Sequence, residues 1–270
     1  MAESVPSVLE SEARGEIADI YADIRKVLGT NVVNLIWRNL ATMPGALQWT
    51  WSTVRPLYLG DAPVHAEAVR RTIALPDWPG FSTDTLLAAG VDEGECALIR
   101  GVLDSYQHTN ALALVVLSAL LVHYEPRPAP AVTAAEAAPK PPATRIPELP
   151  PMGALDPEAV ALIGELNCFG EDAEPQLIAS MYRHLAYWPA YLALVRTMLA
   201  PLQHQGRLNA LTLSTRALGY AHGAVLAAQL KPPAPPATLK GALTSCRLFV
   251  EHPIARMTGL CALLRRATPG

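Results

Sequence analysis

The sequence predicts an all-α protein in which two tandem helical repeats pack together as an intramolecular pseudo-dimer. Hydrophobic residues make up 51% of its 270 residues, which is ample for a packed core. Alanine and leucine, both strong helix formers, are frequent, and no segment shows the sustained polar–apolar alternation of a half-buried strand. Segments in the two halves also match at a constant spacing, which indicates an internal duplication.

The first helix is predicted between Ile17 and Leu28. Apolar residues recur there at intervals of three and four residues, the spacing of one helix face. Gly29 follows at once and ends the helix, because glycine readily adopts the left-handed conformation found after a helix C-terminus. Asp19 and Asp23 fall opposite the apolar face, which favours a solvated surface over an acidic catalytic pair.

Another helix of the first half is predicted to begin after Asp92, which forms a capping box with Glu95, and to run to about Asp104. A polar patch that ends in Asn110 follows, and the almost wholly apolar stretch 111–122 comes next. Asn110 therefore either satisfies backbone groups at a helix break or points into a cavity.

A proline-rich linker separates the two predicted repeats. Nine prolines lie between residues 125 and 152, where large apolar side chains are scarce. This composition predicts an extended, semi-stiff segment without a core of its own. The predicted division is a first repeat at 1–124, a linker at 125–152 and a second repeat at 153–270.

Three features are predicted for the second repeat. Asp156 as cap and Pro157 at the first helical position begin one helix. Another helix is predicted to begin near Pro175, with Glu174 as its cap, and to carry His184 on a face toward a pocket or the core. An apolar stripe that recurs every four residues fits a pocket wall or plain core equally well, and consists of Phe249, Pro253 and Met257.

The internal repeat rests on identities at one constant offset of 145 residues. Leu40-Ala41 matches Leu185-Ala186 at this offset. The further matched pairs are Pro44 and Pro189, Leu47 and Leu192, Pro56 and Pro201, Leu57 and Leu202, and Arg71 and Arg216. A pocket is expected at the seam between the repeats, where equivalent positions face each other and can diverge in role.

Charge, hydropathy and cysteine content exclude several classes of function. With 21 Lys and Arg against 24 Asp and Glu and no basic cluster, the sequence predicts neither a nucleic-acid nor a membrane partner. The longest apolar run, 111–122, is shorter than the roughly 20 residues of a membrane span, and no signal peptide is predicted. Four cysteines without a C-x-x-C spacing indicate buried thiols. We expect a cytoplasmic protein that is a monomer or a homodimer.

The sequence contains none of the standard catalytic motifs. A glycine-rich phosphate loop, G-x-S-x-G, H-E-x-x-H and E-x-x-H are all absent. No two of the seven histidines are three or four residues apart, so the sequence predicts no metal site and no cofactor. The expected partner is a small-molecule ligand or substrate in the seam.

Several segments resemble the group I 2-haloacid dehalogenases, the DehI family. They are GEIADIYADIR, LATMPG and LLAAGVDEGECALIRGVLDSYQHTN in the first half and YWP in the second, and the similarity covers most of residues 15–125 and 155–265. The resemblance implies an all-helical pseudo-dimer with its active site between the repeats. It also implies that an aspartate activates water, which attacks the substrate Cα directly, releases halide and inverts the configuration.

Carried over position by position, the resemblance implies a pocket from which the base has been lost. The family aspartate follows a serine and lies eight residues before the proline of the W-P pair, which is Met181 after Ser180 here. The family's pocket asparagine corresponds to Asn110, and aromatic positions of the first-repeat wall correspond to Val32 and Leu35. The second-repeat wall corresponds to Phe249, Pro253 and Met257. A thioether cannot take a proton from water near neutral pH, so the family reaction is expected to be lost or altered.

Three hypotheses follow, and the sequence alone does not decide whether the protein is an enzyme. The first is a family member whose seam pocket binds a small organic acid or apolar molecule without aspartate catalysis. The second is an active hydrolase of carbon–halogen bonds that uses His184 or water positioned by Asn110 and Ser180. The third is a non-catalytic helical interaction module with a closed seam.

Arg183, two positions from Met181, is expected to face solvent. AGVDEGECALI also resembles a helix start of AhpD-type peroxidases, but the missing C-x-x-C argues against their redox chemistry.

Overall fold

The computed structural model describes residues 5–172 and 177–270, and all regular secondary structure in these ranges is helical. This confirms the predicted all-α class. The first half contains α1 (Glu16–Leu28), α2 (Leu35–Leu40), α3 (Ala46–Leu59), α4 (Ala62–Thr72), α5 (Thr83–Ala88) and α6 (Glu93–Tyr124). The second half contains a 3₁₀ turn (Met152–Ala154), α7 (Pro157–Asn167), α8 (Ser180–Leu185), α9 (Pro189–His204), α10 (Arg207–Ala227), α11 (Leu239–Phe249), a π turn (Val250–Ile254) and α12 (Ala255–Ala267).

Local signals at helix ends act as the sequence predicts. Gly29 follows α1 with φ 64° and ψ 38°, the left-handed conformation that suits glycine. The capping box before α6 is complete, since the backbone N–H of Glu95 donates to Asp92 at 2.9 Å and that of Asp92 donates to Glu95 at 3.0 Å. Pro157 begins α7 after Asp156, although the Asp156 side chain makes no capping hydrogen bond.

Two predicted helix boundaries are wrong. α6 does not end near Asp104 but continues without a break past Asn110 to Tyr124. Its polar patch is compatible with a helix, because the Thr109 hydroxyl donates to the Ser105 carbonyl at 3.0 Å within the same helix. α8 begins at Ser180, and residues 177–179 before it are not helical. The predicted start near Pro175 and the predicted cap Glu174 lie outside the described residues.

The core is built around α6, which packs against α4, α10 and α12. Every residue of its 111–122 stretch is buried. α10 approaches α6 closely because Gly223 lacks a side chain there. A Cβ atom on Gly223 would lie 2.6 Å from the Ser118 Cβ and 2.8 Å from the backbone nitrogen of Ala119. Glycine at this position therefore sets the distance between the two helices.

α6 is also long and apolar enough, by length and composition, to cross a membrane. Its apolar part is 89% buried inside the protein, which is the environment of a core helix. The uninterrupted apolar run 111–122 is only part of this helix, which is why the length of the run alone does not predict a span.

The proline-rich segment 125–151 contains no helix, as its composition predicts, but it lies against the helical body. The Ala135 N–H donates to the Val64 carbonyl at 3.1 Å, and Ile146 is only 3% exposed within the core. Residues 145–151, which we call the strap, pass over the region between α2 and α8. The segment has no core of its own, and it packs instead against the helices.

Two pairs of helices have boundaries that are separated by 145 residues, the same offset as the sequence identities. α8 begins and ends 145 residues after α2, as shown by Leu35–Leu40 and Ser180–Leu185. α10 begins at Arg207, 145 residues after the Ala62 start of α4. The division into repeats at 1–124 and 153–270, joined by a linker at 125–152, stays a prediction that agrees with these boundaries.

Candidate ligand-binding site

A cavity of about 540 Å³ lies between α2 and α8. Both helices are short, and each is preceded by an extended stretch of chain that also lines the cavity. α6 contributes one wall and the π turn before α12 contributes another. The strap and the N-terminal turn complete the lining. The lining residues are 9–11, 31–36, Arg38, Tyr106, Asn110, Arg145, Ile146, Glu148, Leu149, Pro151, 177–181, Arg183, His184, Phe249, Pro253, Ile254 and Met257.

The nine residues that the sequence analysis selects for the site all line this one cavity. They come from four separate parts of the chain and are Val32, Leu35, Asn110, Ser180, Met181, His184, Phe249, Pro253 and Met257. The structure thus brings them together, while their functional roles stay predictions.

Met181 is fully buried at the position that the family resemblance assigns to the water-activating aspartate. Its Sδ lies 3.1 Å from the Sγ of Cys261 on α12. Burial raises the pKa of the Cys261 thiol well above its usual range, so this sulfur stays protonated at neutral pH. Neither sulfur can therefore act as a general base.

His184 is 1% exposed, and both of its ring nitrogens are engaged. Nε2 lies 3.0 Å from the Pro147 carbonyl of the strap, and because a carbonyl oxygen only accepts, Nε2 carries the proton. Nδ1 then accepts from the Tyr106 hydroxyl at 2.6 Å. Burial lowers the pKa of His184 to about 4, with a smaller contribution from the charge of Arg183. The imidazole is neutral at pH 7, but its lone pair is already used.

Tyr106 and Asn110 are one helical turn apart on α6, and both line the cavity. Burial raises the pKa of Tyr106 above its usual range, while the Ser180 hydroxyl and the charges of Arg183 and Arg38 oppose this shift. Asn110 is 6% exposed, and its side-chain amide forms no hydrogen bond with any other described residue. Because Asn110 lines the cavity, its amide is placed where it can hydrogen-bond with a polar ligand atom.

Two buried arginines contribute positive charge to the cavity wall. Arg38 on α2 and Arg183 on α8 are each 6% exposed and occupy positions 145 residues apart. The expectation that Arg183 faces solvent is wrong. α8 has buried side chains on all sides, from Met181 to Leu185, so two positions along this helix do not lead to the surface. The Arg183 guanidinium donates to the Pro150 carbonyl from Nε at 3.2 Å and from Nη2 at 2.7 Å.

The sequence analysis did not identify two other parts of the lining. Glu10 places a carboxylate at the cavity, where Oε1 accepts the Val33 N–H at 2.8 Å and Oε2 accepts from Arg25 at 2.5 Å. The strap is held by Asn31, whose Nδ2 donates to the Ile146 carbonyl at 3.0 Å. Both involve long-range partners without a sequence motif. The sequence does contain a signal for Arg38 as a cavity residue, because the constant offset of 145 residues pairs Arg38 with Arg183.

The donor set does not resemble a metal centre. Within residues 5–172 and 177–270, no three His, Cys, Asp or Glu side chains are arranged to hold a metal ion. The polar side chains that line the cavity carry amide, hydroxyl and guanidinium groups, the His184 imidazole, and two carboxylates from Glu10 and Glu148. Such a lining can bind a small anion with an apolar portion.

The fold and cavity define a class of all-helical protein with a partly cationic cavity, and comparisons with known proteins show which proteins it is similar to. No family model matches the sequence. A configuration-inverting 2-haloacid dehalogenase of Pseudomonas sp. (strain 113) is 27% identical over 229 residues, which cover 80% of this chain and 74% of that protein. A second one, from Alcaligenes xylosoxydans xylosoxydans, is 31% identical over 125 residues, or 46% of this chain and 42% of its own.

Solved structures agree with this relationship at the level of the fold. A D-2-haloacid dehalogenase in complex with L-LA superposes with a TM-score of 0.76 and 17% identity, covering 98% of this chain and 97% of its own. A mutant D-2-haloacid dehalogenase with D-2-CPA gives a TM-score of 0.71 at 18% identity, covering 99% and 96%. The chain is thus similar in sequence to configuration-inverting 2-haloacid dehalogenases and similar in fold to D-2-haloacid dehalogenases.

Proposed function

We propose that the cavity binds a small organic acid, and that this family member does not hydrolyse carbon–halogen bonds by the aspartate route. The observation that carries the proposal is the buried Met181–Cys261 contact at the position where the resemblance places the base. The rest of the polar lining, in particular Asn110 and Ser180, is of a kind that can still bind a ligand. The two properties together favour binding over family chemistry.

The electrostatic environment supports an anionic ligand. Arg38 and Arg183 are both buried in the cavity wall, where solvent screens their charge less than at the surface. Asn110 adds a buried amide that can donate to a carboxylate oxygen. One carboxylate of the lining, Glu10, is already compensated by Arg25. A negative ligand is therefore favoured over a positive one.

The two ionisable groups that could replace the missing aspartate are poorly suited to the task. His184 would have to give up its hydrogen bond with Tyr106 before it could accept a proton from water. Both oxygens of the Glu10 carboxylate already accept hydrogen bonds, one from Arg25 and one from the Val33 backbone N–H, so neither is free to take a proton from water without breaking a contact. Loss of a general base typically lowers a rate by about 10²–10⁴-fold.

We also propose that the cavity lies at the seam of two repeats, 1–124 and 153–270, in a cytoplasmic monomer or homodimer. The equal offset of α2 and α8 supports the repeat. The four cysteines are free thiols, which suits a reducing compartment.

The first experiment measures halide release from racemic 2-chloropropionate and 2-bromopropionate, together with calorimetric binding of 2-chloropropionate. The wild type is expected to bind 2-chloropropionate and to release no halide. Met181→Asp is expected to release halide, because it places a carboxylate beside Asn110 and Ser180 in the same cavity. Met181→Asn is the matched control, since it has nearly the same shape as Asp but cannot act as a base.

Each result decides between the hypotheses. Halide release by the wild type that disappears in His184→Ala or Glu10→Gln would contradict the proposal and identify the replacement base. Absence of binding by the wild type would contradict the ligand-binding function and favour an interaction module. Equal halide release from Met181→Asp and Met181→Asn would show that the introduced carboxylate is not the base.

A further inference from the structure

We propose that the cavity takes a medium-chain carboxylic acid, with an apolar body of about eight carbons, in preference to a three-carbon haloacid. This inference rests on the proposed function, because it assigns a size and polarity class to the acid bound in the same cavity. It follows from the volume of the cavity, from the side chains at two wall positions, and from the contribution of the strap.

The cavity is much larger than a three-carbon acid. Its volume of about 540 Å³ falls in the range of roughly 300–1,000 Å³ of sites for drug-sized ligands. A 2-chloropropionate ion has only about six non-hydrogen atoms, and an octanoate ion has about ten, so the longer acid contacts more of the wall. A small acid would leave most of the apolar wall without a contact, which loses dispersion energy along the whole lining.

The first wall of the cavity is apolar. Val32 and Leu35 both line it and are only partly buried, so part of each side chain is open to the cavity. The opposite wall is apolar as well, with Phe249, Pro253 and Met257. These walls suit a hydrocarbon body and offer it few hydrogen-bonding groups.

The strap extends the apolar lining beyond the helices. Ile146 and Leu149 both line the cavity, and Ile146 is fixed by its backbone hydrogen bond with Asn31. The polar groups come from other elements, namely Asn110 on α6, Ser180 on α8, and the buried arginines. The lining therefore combines a polar, partly cationic set of groups with an extended apolar surface, which matches an amphipathic acid.

The experiment is isothermal titration calorimetry of the full chain with propionate, hexanoate and octanoate, and with 1-octanol as the uncharged probe. Affinity is expected to rise by about fourfold for each added methylene group that becomes buried. Octanoate is expected to bind at least tenfold more tightly than 1-octanol, because only the acid interacts with the cationic groups.

A variant with a filled cavity tests the location. Val32→Trp combined with Leu35→Phe is expected to weaken octanoate binding by more than tenfold, because the larger side chains occupy part of the cavity. Leu35→Phe alone serves if the double variant does not fold, with a smaller loss expected. Leu213→Trp is the matched control, because Leu213 is 48% exposed on α10 and does not line the cavity.

The outcomes separate this inference from the proposed function. Equal affinity for propionate and octanoate, or unchanged octanoate binding in the filled variants, would overturn the size class while acid binding stands. Failure of every acid to bind would overturn the proposed function and this inference with it. If 1-octanol bound as tightly as octanoate, the proposal that the ligand is an acid would be contradicted, and the cavity would be a site for an apolar ligand.

Discussion

Replacing His184 by glutamine is expected to make the protein less sensitive to acid. In the folded chain the imidazole is buried between the Tyr106 hydroxyl and the Pro147 carbonyl, and its pKa is lowered to about 4. In the unfolded chain a histidine titrates near 6.5. As the pH falls below about 6.5, the unfolded chain takes up a proton at this position, whereas the folded chain does so only near pH 4. Stability is therefore lost between these two values as the pH falls.

The size of the effect follows from the two pKa values. A difference of 6.5 against about 4 corresponds to about 3 kcal/mol of folding stability once the pH is below both values. Between pH 7.5 and 5.0, about 2 kcal/mol of this is lost. Glutamine does not titrate, and its amide can donate to Pro147 and accept from Tyr106. The His184→Gln variant should therefore keep both hydrogen bonds and lose only the pH-dependent contribution of His184 to the free energy of unfolding.

The assay is urea unfolding followed by far-UV circular dichroism at pH 7.5, 6.0 and 5.0. The fall in unfolding free energy from pH 7.5 to 5.0 should be about 2 kcal/mol smaller in His184→Gln than in the wild type. Some acid sensitivity will remain, because burial also lowers the pKa of His222 to about 4. His204→Gln, at an exposed position, should behave like the wild type. An identical fall in wild type and His184→Gln would refute the buried, neutral imidazole.

Two further substitutions test the packing around the cavity. Gly223→Ala should lower the free energy of unfolding by about 1–3 kcal/mol, because its Cβ would meet the Ser118 Cβ at 2.6 Å, whereas Gly153→Ala, which meets no atom within 4 Å, should change it by less than about 0.5 kcal/mol. Ile146→Ala should cost about 2–5 kcal/mol if the strap is part of the core, and exposed Thr133→Ala in the same proline-rich segment should cost almost nothing. Urea unfolding measures all four variants. A neutral Gly223→Ala would contradict the close α6–α10 contact, and a neutral Ile146→Ala would mean that the segment is only a tether.

Signals that act within a few residues predicted the fold well. Gly29 and the Asp92–Glu95 capping box are confirmed because a helix end depends on neighbouring backbone groups. The predicted helix end near Asp104 is wrong, and of the two alternatives left open for Asn110, a helix break or a cavity, the structure favours the cavity. In the structure Asn110 stays helical, because α6 already satisfies its backbone and the cavity receives its side chain.

Predictions about the direction of side chains were less reliable on short helices. Arg183 was predicted to face solvent on the assumption that its helix has one buried face and one exposed face. A six-residue helix that is covered on all sides has no exposed face, and α8 is such a helix. The hydrogen bonds of His184 could not be predicted either, because Pro147 lies 37 residues away and contributes only a backbone carbonyl.

The continuity of α6 restricts how the cavity could change during evolution. One helix supplies Tyr106 and Asn110 to the cavity and, two to three turns later, the surface at Ser118 on which Gly223 packs. A substitution that shifted this helix to suit a new ligand would also disturb the packing of the whole interior. Val32, Leu35 and Leu149 also line the cavity but are only partly buried and lie outside α6, so substitutions there disturb the core less. New ligand preferences in relatives of this chain should therefore arise at these positions, while the face of α6 stays constant.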